Sequence, residues 1–134
     1  MSSTYRELLD AAVSISAAGE TEGLYRATAS RAYYAAYHAA RTYHNGLSSP
    51  GSLAYARGGM HEGLYTQLRT PTVANPRIKA QSIALGNLLM AAYALRVQAD
   101  YMPEKGFPAM AGMDALDKAR MIVDATESST PYQA

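Results

Sequence analysis

The residues best suited to chemistry lie in and just beyond the segment Ser30–Ala40, which is rich in alanine and tyrosine. At 3.6 residues per turn, one stripe of a helix built on this segment carries Arg31, Tyr34, His38, Arg41 and Asn45. One imidazole and two guanidinium groups on a single helix face predict a site that binds an anion or moves a proton. The alternatives are a solvent-facing side of the helix or a contact between two subunits.

A second candidate group lies near the end of a long apolar segment, at Arg96, Asp100 and Tyr101. Asp100 follows Arg96 by one helical turn, so the two side chains can form an ion pair on the helix surface. An arginine held by a carboxylate and followed by a tyrosine predicts a preorganised contact for a phosphate group. The same residues also fit an ordinary helix-terminal ion pair with a tyrosine that packs beside it, and the sequence leaves both interpretations open.

The three histidines, His38, His44 and His61, do not form a metal-binding pattern. None of them are paired at the spacing of metal ligands on a helix, and the chain has no cysteine that could supply a thiolate. We therefore predict no metal site and no cofactor. His44 lies at the end of the same predicted helix as His38, where we expect its cationic form to interact favourably with the helix dipole.

The composition predicts a single soluble domain. The chain has 134 residues, of which 49% are hydrophobic, and this length supports one domain with its own core. The absence of cysteine excludes a disulfide scaffold and a cysteine nucleophile. The N-terminus shows no secretory signal, and the apolar stretch Ile83–Leu95 is shorter than a membrane span. We predict a cytoplasmic protein with one domain over residues 1–127 and a polar tail over residues 128–134.

Positive charge is concentrated in the middle of the chain, although the formal net charge is only +1. Residues 23–97 carry seven arginines and one lysine against a single glutamate, whereas the segments on either side are net negative. An arginine-rich middle predicts recognition of phosphate or carboxylate groups, because the guanidinium group pairs with them bidentately. The polar faces of ordinary helices would also account for this charge.

Helical signals dominate the sequence, and no run of alternating β-branched residues predicts a strand. The 26 alanines favour helix throughout the chain. Capping residues, prolines and glycines predict five helices, at about residues 4–18, 22–43, 61–69, 76–100 and 114–125. These helices should form an all-α, up-and-down bundle of four to five helices, with the second and fourth helices at its centre.

Two of these segments together resemble a known family. The run Ser-Arg-Ala-Tyr-Tyr-Ala-Ala-Tyr-His-Ala-Ala at residues 30–40 is similar to the hallmark of the HEPN superfamily, the higher-eukaryote and prokaryote nucleotide-binding domain. The segment Arg96–Tyr101 resembles the Arg-x-x-Ala-Asp-Tyr segment of its small stand-alone prokaryotic branch, and His61–Leu64 looks like a third matching piece. The resemblance covers most of the chain, from the first helix to the fifth.

The resemblance implies a HEPN-like bundle that pairs as a homodimer and acts on RNA in toxin–antitoxin or defence systems. Many members are encoded beside a minimal nucleotidyltransferase that serves as the antitoxin. Active members cleave RNA without a metal ion, through an arginine followed after four to six residues by a histidine. The histidine handles the proton of the ribose 2′-hydroxyl, and the arginine stabilises the charge on phosphorus.

This sequence departs from that motif, because Tyr101 stands where the histidine would follow Arg96. Elsewhere the spacing is met by Arg31 and His38, which lie in the second predicted helix instead. The candidate catalytic residues are therefore Arg96, Tyr101, His38 and Arg31. The candidate residues for binding RNA or a nucleotide are Arg31, Arg41, Arg96, Asp100 and His61.

Three functions remain open on the sequence alone. The first is an RNA-targeting, ribonuclease-like component of a toxin–antitoxin or defence system, paired with a nucleotidyltransferase. The second is a non-catalytic helical dimer that binds a nucleotide or a partner protein, with Arg96, Asp100 and Tyr101 as its recognition corner. The third is a helical scaffold whose basic middle only solvates the protein.

Overall fold

The structure is a computed structural model that describes residues 4–53 and 58–129. Five α-helices follow one another along the chain: α1 (Tyr5–Ala17), α2 (Glu22–Asn45), α3 (Met60–Arg69), α4 (Pro76–Tyr101) and α5 (Ala109–Ser129). No strand occurs in these two ranges, and the predicted all-α bundle is confirmed.

Helix α2 lies at the centre of the bundle and packs against each of the other four helices. One stripe of α2, made mostly of small residues, is fully buried: Ala29, Ala32, Ala36, Ala39 and Tyr43. Short side chains on this stripe allow neighbouring helices to approach α2 closely. The opposite polar stripe, from Arg31 to Asn45, is exposed as the periodicity predicts. Helix α4 packs against α2, α3 and α5.

Three helices begin at a side-chain cap, and the sequence predicts two of these caps, Thr4 and Asn75. The side chain of Thr4 accepts a hydrogen bond from the amide of Glu7, at 3.1 Å, and begins α1. Asn75 accepts hydrogen bonds from two amides in the first turn of α4, directly before Pro76. Thr21 caps α2 in the same manner. These side chains satisfy amides that a helix leaves unpaired. The first four helices lie within two residues of their predicted bounds.

Helix α5 is longer than predicted at its start. The prediction placed the start near Asp114, after the chain-breaking residues Pro103, Gly106 and Pro108. In the structure α5 begins at Ala109, and Gly112 is buried against α2. A Cβ atom at Gly112 would lie 3.2 Å from the backbone oxygen of Tyr25, so the glycine serves the packing of two helices.

Helix α5 also extends beyond its predicted end and includes Ser128 and Ser129, which were assigned to the polar tail. Ser129 is buried, and its hydroxyl accepts a hydrogen bond of 2.9 Å from the amide of Gln81. This contact with α4 explains why the helix continues. The rest of the predicted tail, residues 130–134, lies outside the described residues.

Helix α4 is long and apolar enough to cross a membrane by length and composition, although the core helix of a soluble protein meets the same criterion. Only 28% of its most apolar window is buried. The predicted cytoplasmic location therefore stays a prediction.

The predicted cationic role of His44 is wrong, because this side chain is buried beside the loop that follows α2. The amide of Gly51 donates a hydrogen bond of 3.0 Å to Nε2 of His44, which requires an unprotonated nitrogen. Burial lowers the pKa of His44 below its ordinary value. The imidazole therefore anchors the loop as a neutral acceptor.

This anchor predicts that the fold weakens in mild acid. The pKa of His44 is lower in the folded than in the unfolded chain, so protons favour the unfolded state. This contribution to stability is complete above the unfolded pKa of about 6.5, and we expect the free energy of unfolding to fall as the pH drops below it. Urea unfolding of the native protein and His44→Gln at about pH 7.5 and pH 5.5 tests this expectation. An unchanged pH dependence in the variant would contradict it, and exposed His38→Gln is the control.

Candidate functional site

The end of α4 is held in place by Arg26 of α2. The guanidinium group donates to four backbone carbonyls, those of Gln98, Ala99, Met102 and Lys105. Helices leave their last carbonyls without intrahelical partners, and a single side chain satisfies them here. Glu22 pairs with Arg26 at 2.9 Å and accepts a second hydrogen bond, of 2.7 Å, from the amide of Phe107. In the sequence, Arg26 stands out only as part of the basic middle, and its role at the end of α4 was not predicted.

The predicted ion pair lies on the part of α4 that Arg26 holds. Nε of Arg96 donates to Oδ2 of Asp100 at 2.9 Å, and Nη2 of Arg96 lies 3.4 Å from the hydroxyl of Tyr101. The hydroxyl of Ser30 donates to the same Asp100 oxygen at 3.1 Å. Asp100 therefore links α4 to α2 and fixes the guanidinium group of Arg96.

The guanidinium group of Arg96 also contacts two aromatic rings. Its Cζ atom lies 5.9 Å from the ring centroid of Tyr33 and 5.2 Å from that of Tyr101. Tyr33 is 1% exposed, whereas Tyr101 is 63% exposed. Arg96 thus lies at the boundary between the core and solvent, where its remaining donors can reach a ligand.

His61 at the start of α3 joins the same group of side chains. Its Nδ1 atom is 2.8 Å from the hydroxyl oxygen of Tyr33. The imidazole ring stacks on Tyr93, with centroids 5.6 Å apart, and meets Tyr37 edge-on at 4.9 Å. We call Tyr33, His61, Arg96, Asp100 and Tyr101 the Arg96 cluster.

The Arg96 cluster keeps its imidazole neutral. Burial, and then the positive charge of Arg96, lower the pKa of His61 below its ordinary value. Burial in particular raises the pKa of the Tyr33 hydroxyl, so the phenol keeps its proton. The cluster therefore combines one permanent cation with neutral hydrogen-bonding groups.

An exposed row of side chains on α2 adjoins the cluster. Cζ of Arg31 lies 5.7 Å from the ring centroid of Tyr34, and that ring stacks on His38 with centroids 6.4 Å apart. His38 also meets Tyr37 at 5.4 Å, and Tyr37 contacts His61. We call Arg31, Tyr34 and His38 the α2 row.

The structure thus brings together only part of the predicted site. Arg96, Asp100, Tyr101 and His61 meet in one cluster, whereas Arg31 and His38 both contact the Tyr34 ring beside it. Arg41 lies apart from both groups, on the wall of a pocket of about 450 Å³ that His44 and Gly59 also line. His61 and Arg96 both contact the ring of Tyr33, so His61 is the imidazole that lies beside the arginine of α4.

The sequence analysis missed two tyrosines that hold the cluster together. Tyr33 connects His61 to Arg96, and Tyr93 stacks on His61. The pair Tyr33–Tyr34 and the spacing of Tyr33 to Tyr37 were visible signals, since residues four apart share one helix face. Which of the neighbouring tyrosines is buried became evident only from the packing.

No protein-family model matches this chain, and no curated protein or solved structure matches it significantly. Among residues 4–53 and 58–129, no three histidine, aspartate or glutamate side chains are grouped so that they could hold a metal ion. The geometry of the Arg96 cluster therefore carries the functional argument.

Proposed function

We propose that the chain is an RNA-targeting protein of the HEPN type that holds a backbone phosphate of RNA against the Arg96 cluster. The observation that carries this proposal is the meeting of Arg96 and His61 on the ring of Tyr33. Within the described residues, Nη1 of Arg96 and Nε2 of His61 have no hydrogen-bond partner. A fixed guanidinium group beside an imidazole suits the oxygens of a phosphodiester.

The α2 row supports RNA as the ligand. Tyr34 is 40% exposed and lies between a guanidinium group and an imidazole, which provides a surface on which unpaired bases can stack. Proteins recognise single-stranded RNA by stacking bases on aromatic rings and arginines while cationic groups contact the phosphates. The row and the cluster adjoin through Tyr37, so one strand can contact both.

The reaction class that fits is metal-independent cleavage of RNA. The ribose 2′-oxygen forms a bond to phosphorus, and the bond from phosphorus to the 5′-oxygen breaks. The 2′-hydroxyl releases its proton to solvent, and the 5′-oxygen takes one from solvent, so the products are a 2′,3′-cyclic phosphate and a 5′-hydroxyl. Arg96 stabilises the extra negative charge on the phosphoryl oxygens. In the family that the sequence resembles, such proteins pair as homodimers with a nucleotidyltransferase antitoxin, and we extend both features to this chain as proposals.

The second candidate is binding of RNA or a nucleotide without cleavage. Two observations favour it: Tyr101 replaces the histidine after Arg96, and Nε of Arg96 is already bonded to Asp100. An arginine in this state still contacts a phosphate through its other nitrogens. Nδ1 of His61 lies 2.8 Å from the Tyr33 hydroxyl, so this nitrogen is already engaged and does not take the proton of a ribose hydroxyl.

Removal of Arg96 tests the proposal. We expect the native protein to retain a labelled RNA pool of mixed sequence in EDTA, less strongly as salt rises, because phosphate contacts release counterions. Arg96→Ala should bind at least about tenfold more weakly, since hydrogen bonds to charged groups contribute about 1.5–3 kcal/mol. Arg77→Ala is the matched control, because Arg77 is exposed in the first turn of the same helix.

The products of the same incubation separate the two candidates. Cyclic-phosphate ends formed by the native protein and not by Arg96→Ala would support the ribonuclease. Retention without cleavage would support the binding module. A native protein that neither retains nor cleaves RNA would overturn the proposal.

A further inference from the structure

We propose that His61 is the second phosphate-binding residue of the Arg96 cluster, and that Tyr33 fixes it as the tautomer whose Nε2 carries the hydrogen. This inference rests on the proposed function, because the phosphate belongs to the RNA that the Arg96 cluster holds. It assigns His61 as a hydrogen-bond donor and Tyr33 as a positioning residue. Neither role follows from the spacing of residues along the chain.

The hydroxyl of Tyr33 decides the tautomer of His61. Tyr33 is 1% exposed, and within the described residues its hydroxyl has one hydrogen-bond partner, Nδ1 of His61 at 2.8 Å. A buried O–H group without an acceptor costs about 1–3 kcal/mol, so the phenol donates and Nδ1 accepts. The hydrogen of the neutral imidazole is then on Nε2.

A neutral donor is the form that fits beside Arg96. Both groups contact the same ring: the imidazole centroid lies 5.4 Å and Cζ of Arg96 lies 5.9 Å from the centroid of Tyr33. A second cation at this distance would be repelled by the guanidinium group, whereas a neutral N–H group adds a donor without that repulsion. The pair therefore offers one charged and one uncharged donor to a single phosphate group.

Aromatic contacts fix the plane of the imidazole. Tyr93 stacks on it with an interplanar angle of 21°, and Tyr37 meets it at 63°. Rings from α2 and α4 thus hold a side chain that belongs to α3. Such preorganisation reduces the entropy that a ligand contact would otherwise cost.

The tautomer can be measured directly in the protein without RNA. In a long-range ¹H–¹⁵N correlation spectrum of the native protein at neutral pH, we expect Nδ1 of His61 to have the shift of an unprotonated nitrogen and Nε2 that of a protonated one. Tyr33→Phe removes only the hydroxyl and should reduce this preference toward that of a free histidine, while the helical circular dichroism stays unchanged. The opposite tautomer in the native protein would overturn the inference.

Binding of a labelled single-stranded RNA of mixed sequence tests the donor. We expect His61→Leu to weaken binding about tenfold, whereas His61→Gln, which keeps an N–H donor, should stay within about threefold of the native protein. Tyr33→Phe should also weaken binding, because the imidazole is then no longer fixed as the tautomer that presents an Nε2–H donor. Equal binding by His61→Leu and the native protein would overturn the donor role.

Failure of this inference is distinguishable from failure of the proposed function. If Arg96→Ala loses RNA binding and His61→Leu keeps it, the donor role of His61 is wrong and the proposed function stands. If the native protein does not retain RNA, the proposed function and the donor role of His61 are both wrong.

Discussion

Replacing Arg26 with alanine is expected to lower the free energy of unfolding by about 3 kcal/mol, because two carbonyls at the end of α4 and two just beyond it lose a charged donor. The side chain is 16% exposed, so water replaces these bonds poorly. Glu22 loses its partner in the same step, although it keeps its bond to the amide of Phe107. Urea unfolding at neutral pH measures the loss.

Two variants make this test specific. Arg41→Ala removes an exposed arginine from the same helix and should change stability by less than about 0.5 kcal/mol. Arg26→Lys keeps the charge but not the planar guanidinium group. We therefore expect its loss of unfolding free energy to lie between those of Arg26→Ala and Arg41→Ala. Equal effects of Arg26→Ala and Arg41→Ala would contradict the interpretation.

Arg26→Ala should also affect the candidate site. Arg26 holds the segment of α4 that carries Asp100 and Tyr101, so its loss should increase hydrogen exchange there more than in α1. RNA binding should fall even under conditions where the chain remains folded.

Replacing Gly86 with valine is expected to destabilise the fold by about 3 kcal/mol, because α3 crosses α4 closely at this glycine. A Cβ atom at Gly86 would lie 2.6 Å from Cγ of Arg69 and 3.0 Å from Cβ of Leu68. It would also lie 3.0 Å from the backbone nitrogen of Arg69, which cannot move without α3. Thermal and urea unfolding measure this loss.

Gly23→Ala is the matched control for a glycine in a helix. A Cβ atom there has nothing within 4 Å, so this variant should gain up to about 1 kcal/mol from higher helix propensity. Because α3 carries His61, Gly86→Val should also shift the imidazole resonances of His61. If Gly86→Val has the same free energy of unfolding as the native protein, the close crossing of α3 and α4 does not contribute to stability.

Local signals along the chain were sufficient to predict the helices. Thr4, Thr21 and Asn75 cap helix starts through contacts with residues two or three positions away. Such contacts depend on the backbone of one helix, so they are readable without knowledge of the fold. Gly112 inside α5 could not be explained in this way. A glycine is favoured there because the backbone of Tyr25, in α2, lies close to it.

Likewise, only part of the candidate site could be predicted from the sequence. The pair Arg96–Asp100 and the exposed α2 row are set by helical periodicity, and the sequence predicts both. The meeting of His61 with Tyr33 joins α3 to α2 and was not predicted.

By itself, the sequence determined that this chain is helical and where four of its five helices lie. It also determined that Arg96 has a carboxylate partner, Asp100, one turn away. Only the tertiary structure decided that His61 lies beside Arg96, that Arg26 caps α4, and that His44 is neutral and buried. The physical reason is that spacing within a helix follows from its 3.6-residue turn, whereas neighbours between helices depend on how side chains of different sizes pack.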